Sequence, residues 1–176
     1  MAEDVIVILK QALNKEEDRK AYYEDAAQRA CNPLAQQTFS FLARQEQMHA
    51  TYIQQYYQMM ESQGAWPDPA MCDEQCVVAA EEIKDIFSHA RDSIDGEVTC
   101  DTELAEAYSI AMQGERESIT FYKDQLQAAQ EPNAKAFYEA LLEAERLHLQ
   151  LLSQTEDYLN DTEKWFFDEE QWGVTG

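Results

Sequence analysis

The two histidines at positions 49 and 148 belong to an interval that also relates several glutamates. They are 99 residues apart, and each lies three residues after a glutamate, Glu46 or Glu145. The same interval relates three further pairs of identical residues: Glu16 with Glu115, Tyr23 with Tyr122, and Pro33 with Pro132. Carboxylate and imidazole groups are common metal ligands. The repeat therefore indicates two copies of a helical hairpin, each carrying half of one metal site.

Within each copy, the spacing predicts that the candidate ligands lie on apolar helix faces. Residues three apart share a face, so Glu46 and His49 point the same way, and Tyr23 lies two turns after Glu16. The second copy repeats these relations with Glu115, Tyr122, Glu145 and His148. A charge on an apolar face is costly unless it is paired, hydrogen-bonded or metal-bound. The one basic residue that could pair with these glutamates is Arg19.

Two divalent cations would neutralise the four carboxylates. A carboxylate-rich site with one imidazole per ion favours iron or manganese over structural zinc, which prefers sulfur ligands. The six predicted metal ligands have three roles. Glu46 and Glu145 are the predicted bridging ligands, and Glu16 and Glu115 the predicted terminal ligands. His49 and His148 are each predicted to bind one metal ion.

Each motif alone is weak, because one Glu-x-x-His in an acidic helical protein more often lies on a solvated face. The shared interval makes the metal site the preferred interpretation. Tyr23 and Tyr122 are candidate catalytic residues that donate hydrogen bonds to the terminal glutamates, or else core aromatics with satisfied hydroxyls. His89 is expected to be a surface or capping histidine.

Helical periodicity predicts four long helices, over residues 4–30, 33–62, 101–129 and 132–160. Asn32-Pro33 and Glu131-Pro132-Asn133 separate the helices of each hairpin. A crossover of about residues 62–100 contains an amphipathic stretch at 74–89. The expected fold is an all-α four-helix bundle forming one domain, residues 1–162, followed by an aromatic and acidic tail, 163–176, that packs on the bundle or a partner subunit.

Composition supports an all-α chain and restricts its partners. Hydrophobic residues make up 45% of the sequence, with only 5 Gly and 4 Pro. The net charge of −22 disfavours nucleic acid and anionic membranes as partners. We identify neither a membrane span nor a signal peptide in the sequence, so a cytoplasmic location is expected. Cys72 and Cys76 could support redox chemistry, but reduced thiols are favoured.

The chain resembles the rubrerythrin branch of the ferritin-like superfamily over about residues 4–167, without an attached rubredoxin domain. The matching segments are Glu16-Glu-Asp-Arg-Lys-Ala-Tyr-Tyr23, Gln45-Glu-Gln-Met-His49, Glu115-Arg-Glu-Ser-Ile-Thr-Phe-Tyr122 and Ala144-Glu-Arg-Leu-His148, with Ile86-Phe87 and Trp165-Phe166. This resemblance implies a non-haem centre of two Fe ions, with Mn or a mixed pair left open. It also implies reduction of hydrogen peroxide, or of dioxygen, as a defence against oxidative stress.

The same resemblance implies partners and an alternative function. Because the chain has no Cys-x-x-Cys pair, electrons must come from an external donor such as a rubredoxin-like protein, and a homodimer is expected. Many rubrerythrins carry a further glutamate where this chain has Ser118, and the equivalent place in the first helix holds Arg19. The remaining six-ligand set is closer to bacterioferritin-like centres. A ferroxidase or iron-storage protein is therefore the alternative.

Overall fold

A computed structural model describes residues 2–68, 83, 86 and 102–160 of the chain, and four long α-helices account for most of these residues. They are α1 (Ala2–Arg29), α2 (Pro33–Gln63), α3 (Thr102–Ala128) and α4 (Pro132–Asn160), and no strand occurs in this part of the chain. The prediction of an all-α four-helix bundle is confirmed, and every helix end lies within two residues of its predicted position.

Local sequence explains the ends of α2. Asn32 caps the helix, because its side-chain oxygen accepts hydrogen bonds from the backbone N–H groups of Leu34 and Ala35 at 2.9 and 3.2 Å. Pro33 occupies the first turn, where its missing N–H leaves no hydrogen bond unmade. Gly64 ends the helix in the left-handed conformation, with φ of 67°, and its N–H donates to Met60 O.

The two hairpins pack against each other to form the bundle. α1 packs mainly on α2, and α3 mainly on α4, as expected for helices joined by short turns. The hairpins meet through α2 with α4 and through α1 with α3. The first helix of each hairpin thus lies beside the first helix of the other, and the second beside the second.

Two apolar core clusters lie one on each side of the Glu and His residues. Along α2, Phe39 and Leu42 of the first core cluster precede Glu46, whereas Ile53 and Tyr56 of the second core cluster follow His49. Along α4 the order is reversed, because this helix passes through the second core cluster before it reaches the first. The polar residues therefore occupy the middle of the bundle, and hydrophobic side chains close it at both ends.

Little of the crossover belongs to the described residues. Ile83 and Ile86 are helical and buried, and both pack in the first core cluster. The remainder of the predicted short helix at 74–89, including His89, lies outside the described residues, as do Cys72, Cys76 and the tail at 163–176. Among the described helices, none has the length and apolar composition needed to cross a membrane.

Candidate metal centre

All six predicted ligands meet in the middle of the bundle, and each has no exposed surface. One glutamate comes from each of the four helices, and the histidines come from α2 and α4. The residues are Glu16, Glu46, His49, Glu115, Glu145 and His148. Four of these, the two Glu-x-x-His pairs, offer ligand atoms that all lie within 4.8 Å of one another.

Two of the glutamates lie between the two imidazoles. Glu46 places Oε2 3.3 Å from His49 Nδ1 and Oε1 3.3 Å from His148 Nδ1. Glu145 places Oε1 3.3 Å from His49 Nδ1 and Oε2 3.6 Å from His148 Nδ1. Each carboxylate therefore presents one oxygen to each histidine, which is the geometry that a bridging ligand requires.

The other two glutamates each approach a single imidazole. Glu16 Oε2 lies 3.5 Å from His49 Nδ1, and Glu115 Oε1 lies 3.7 Å from His148 Nδ1. The cluster thus divides into two four-atom groups. The His49 half-site consists of His49 Nδ1 with Glu16 Oε2, Glu46 Oε2 and Glu145 Oε1. The His148 half-site consists of His148 Nδ1 with Glu115 Oε1, Glu46 Oε1 and Glu145 Oε2.

These groups fit metal ions. Ligand atoms about 2.0–2.2 Å from a shared ion lie roughly 3 Å apart when their bonds are at right angles, close to the separations within each half-site. The two imidazole rings stack with centroids 5.1 Å apart, so both Nδ1 atoms are presented side by side. Neither Nδ1 atom has a hydrogen-bond partner of acceptable geometry among the described residues. Buried polar atoms left without such partners are the expected feature of a site built for ions.

Arg19 also lies in the cluster, one turn after Glu16 on α1. Its Nη2 is 2.5 Å from Glu16 Oε2 and 3.3 Å from Glu145 Oε1, and its Nε donates to Glu46 Oε1 at 3.2 Å. The side chain is 11% exposed, whereas the carboxylates that it contacts are fully buried. The one basic residue that the sequence offered as a partner thus pairs with three of the four glutamates.

The two tyrosines connect the hairpins. Tyr23 of α1 donates a hydrogen bond to Glu115 Oε1 of α3, and Tyr122 of α3 donates to Glu16 Oε1 of α1. Both phenols are fully buried and also contribute to packing, Tyr23 in the first core cluster and Tyr122 in the second. Each tyrosine therefore serves the terminal glutamate of the opposite hairpin, not the one on its own helix.

Burial and Arg19 divide the four carboxyl groups into two kinds. Burial raises the pKa of Glu16 to about 7 and that of Glu115 well above its usual range, since water no longer solvates the ionised forms. Burial acts in the same direction on Glu46 and Glu145, but the Arg19 guanidinium and nearby hydrogen bonds hold the pKa of both below its usual range. Burial lowers the pKa of both imidazoles, but the carboxylates that surround them stabilise the protonated rings by more, so the net shift is upward.

Replacing Tyr23 or Tyr122 with phenylalanine should lower the free energy of unfolding by about 1–3 kcal/mol each, because a buried carboxylate oxygen loses its donor. Chemical denaturation of the metal-free protein measures the effect. Tyr57→Phe is the matched control, since Tyr57 donates to Glu61 at 3.1 Å on the surface and its loss should matter little. Equal small decreases in the free energy of unfolding of all three variants would show that the two buried tyrosine hydrogen bonds do not stabilise the fold.

A bundle in which four buried glutamates and two histidines form two joined half-sites defines a class of protein, the helical proteins with a di-metal centre. The family model described as Rubrerythrin matches residues 7–156, and the chain belongs to that family. No curated protein and no solved structure matches the chain.

Sequence reasoning located every glutamate and histidine of this cluster but missed two features. The two tyrosines donate to the terminal glutamates as predicted, but which glutamate each one reaches was not predicted, because helical spacing defines a face and not the partner across it. The burial of Ser118, which is 1% exposed with no hydrogen-bond partner for its Oγ among the described residues, was also missed. The interval of 99 could have indicated it, since Ser118 occupies the place in α3 that corresponds to Arg19 in α1, beside the predicted ligand Glu16.

Proposed function

We propose that this protein is a non-haem di-iron oxidoreductase that reduces hydrogen peroxide with electrons from an external donor. The observation that carries the proposal is the pair of carboxylates, Glu46 and Glu145, each of which presents one oxygen to each imidazole. Membership of the Rubrerythrin family supports iron as the metal, although the same ligands accept manganese.

The balance of electrons favours peroxide over dioxygen. Hydrogen peroxide takes two electrons and two protons to give two water molecules, whereas dioxygen needs four electrons to reach water. Two iron ions, when bound, would supply two electrons as they pass from the ferrous to the ferric state. One loaded centre thus suffices for one peroxide, and the donor then restores the two electrons.

The residues around the ions would hold them, orient the ligands and limit the access of water. Under this proposal, Glu46 and Glu145 would be shared between the two ions, Glu16 and Glu115 would each serve one ion, and His49 and His148 would each bind one ion. The two core clusters keep water away along the bundle axis. Tyr23 and Tyr122 fix the terminal carboxylates, and the raised pKa of both phenols keeps a proton at the edge of the centre at neutral pH.

Stopped-flow mixing tests the proposed activity. Protein loaded without oxygen with two ferrous ions per chain is mixed with hydrogen peroxide and, separately, with dioxygen, while ferric absorbance is recorded. We expect peroxide to oxidise the protein-bound iron faster than dioxygen does, and a rubredoxin-like protein to reduce it again. Oxidation by both oxidants no faster than that of free ferrous ion would reject the proposal.

The alternative is a ferroxidase or iron-storage protein, and the small ligand set favours it. Ser118 cannot supply a seventh ligand of carboxylate type, and Arg19 stands at the corresponding place in α1. Iron uptake separates the two functions, because an oxidoreductase should saturate at two ions per chain while a storage protein accumulates many more. Size-exclusion chromatography adds a second criterion, since a homodimer favours the enzyme and a large cage favours storage. We propose a cytoplasmic location for this enzyme, because reduced electron carriers are present in that compartment.

A further inference from the structure

We propose that Arg19 makes the two half-sites unequal, so that the first metal ion binds in the His148 half-site and the second must displace the guanidinium from the His49 half-site. This inference rests on the proposed di-metal centre and concerns the order in which that centre fills. Arg19 is thus a positioning residue for metal loading and not itself a ligand.

The contacts of the guanidinium are distributed unevenly between the half-sites. Nη2 lies against Glu16 Oε2 and Glu145 Oε1, two of the three carboxylate oxygens of the His49 half-site. Only Nε reaches the His148 half-site, where it meets Glu46 Oε1. An ion entering the His49 half-site therefore competes with Arg19 for two oxygens, whereas an ion in the His148 half-site competes for one.

The difference between the hairpins has its origin in one pair of positions. The interval of 99 residues that relates the ligands also relates Arg19 to Ser118. Ser118 is buried, and its short hydroxyl carries no charge with which to oppose an ion in the His148 half-site. The centre therefore has matching glutamates and histidines in its two halves but a cation beside only one of them.

Charge and dielectric make this competition strong. A guanidinium paired with buried carboxylates in a low-dielectric interior is held far more firmly than a surface arginine, and its planar fork binds two carboxylates at once. With one divalent ion bound, the four carboxylates and Arg19 leave a formal charge of −1, and the second ion brings it to +1. The second ion therefore enters a site that is less negative than the one that received the first.

Arg19 also lies where it can withdraw. Its side chain is the partly exposed member of an otherwise fully buried group. Its stem passes beside Gly114 of α3, where a β-carbon would lie 3.8 Å from Arg19 Cδ, so no side chain of α3 closes over it at that position. The guanidinium can thus move toward solvent when an ion takes its place.

Manganese titration of the metal-free protein, followed by calorimetry and electron paramagnetic resonance, tests the proposal. For the native chain we expect two manganese-binding steps, with an affinity at least about tenfold lower in the second. The paramagnetic resonance signal of two coupled ions should appear only during the second step. Arg19→Gln should strengthen the second step by at least about tenfold and the first step by clearly less, because Arg19 contacts two oxygens of the His49 half-site and one of the His148 half-site. Arg29→Gln, on the same helix and with the same change in charge, is the control because Arg29 pairs with Asp25 at the surface. Identical steps in the native chain, or no effect of Arg19→Gln, would overturn the proposal.

Two further variants keep Arg19 in place and identify which half-site fills first, even if Arg19→Gln does not fold. Glu115→Gln should weaken the first step, whereas Glu16→Gln should leave the first step intact and weaken only the second. The order of filling would be overturned if Glu16→Gln weakened the first step and Glu115→Gln only the second. It would also be overturned if both variants weakened the same step to the same extent. Binding of two ions with equal affinity would reject this inference alone, while absence of any specific binding would reject the di-metal centre itself.

Discussion

Glu145→Gln should lower the manganese or iron retained per chain from two ions to at most one, with a loss of affinity of at least about 100-fold. The amide has one oxygen that can bind a metal in place of two, so it cannot serve both half-sites. Glu145 Oε1 and Oε2 each face a different histidine, and the substitution therefore affects both ions at once. Elemental analysis after equilibrium dialysis against a metal buffer measures the change.

Glu143→Gln provides the matched control for that measurement. Glu143 lies on the same helix two residues earlier, its side chain is 64% exposed, and it pairs with Arg146 at the surface. The variant makes the same change in net charge and should retain two ions with the affinity of the native chain. If Glu145→Gln also retained both ions at that affinity, Glu145 would not be a bridging ligand.

The metal-free protein should become less stable as pH rises from 5 to 8. The fold raises the pKa of Glu16 from its usual 4.5 to about 7, so between these values folding requires a proton that the unfolded chain does not hold. The cost reaches on the order of 3 kcal/mol from Glu16 alone. Glu115 and both histidines, whose pKa is also raised, act in the same direction. The pKa values of Glu46 and Glu145 are depressed, so the stability that these two carboxylates contribute to the protein is lost only at a pH below 5.

Metal should reverse that pH dependence, because ions bind the deprotonated ligands and gain affinity as pH rises. Denaturation midpoints at pH 5 and pH 8, with and without saturating manganese, measure both trends. Glu16→Gln should lose the part of the metal-free slope that Glu16 causes, since the amide does not titrate. Glu139→Gln, an exposed substitution on α4, should keep the full slope. Retention of the full slope by Glu16→Gln would show that general charge repulsion, and not the buried carboxyl, causes it.

Much of the bundle could be predicted because its signals are local. Asn32 and Pro33 begin α2, Gly64 ends it, and Pro132 begins α4, so the helix boundaries depend on residues close to them in sequence. The members of the buried Glu and His cluster could also be predicted, because buried glutamates on an apolar helix face are rare and these are repeated at one interval.

Contacts across the bundle could not be predicted in the same way. Whether Tyr23 donates to Glu16 or to Glu115 depends on how α1 lies beside α3, and no spacing within α1 contains that information. The same limit applies to Arg19, which stood out as a possible partner by its position after Glu16 but whose unequal contacts with the two half-sites depend on all four helices. The predicted homodimer, the electron donor and the roles of Cys72 and Cys76 remain predictions.

The reciprocal hydrogen bonds of Tyr23 with Glu115 and of Tyr122 with Glu16 bear on how such a chain arose. A lone ancestral hairpin would have had no acceptor for its own tyrosine, except in an identical second hairpin related by a twofold axis. From this exchange we infer a forerunner that was a symmetric pair of short identical chains. Duplication and fusion of its gene would remove the requirement that both halves be identical, and would allow one position to become Arg19 and its counterpart Ser118.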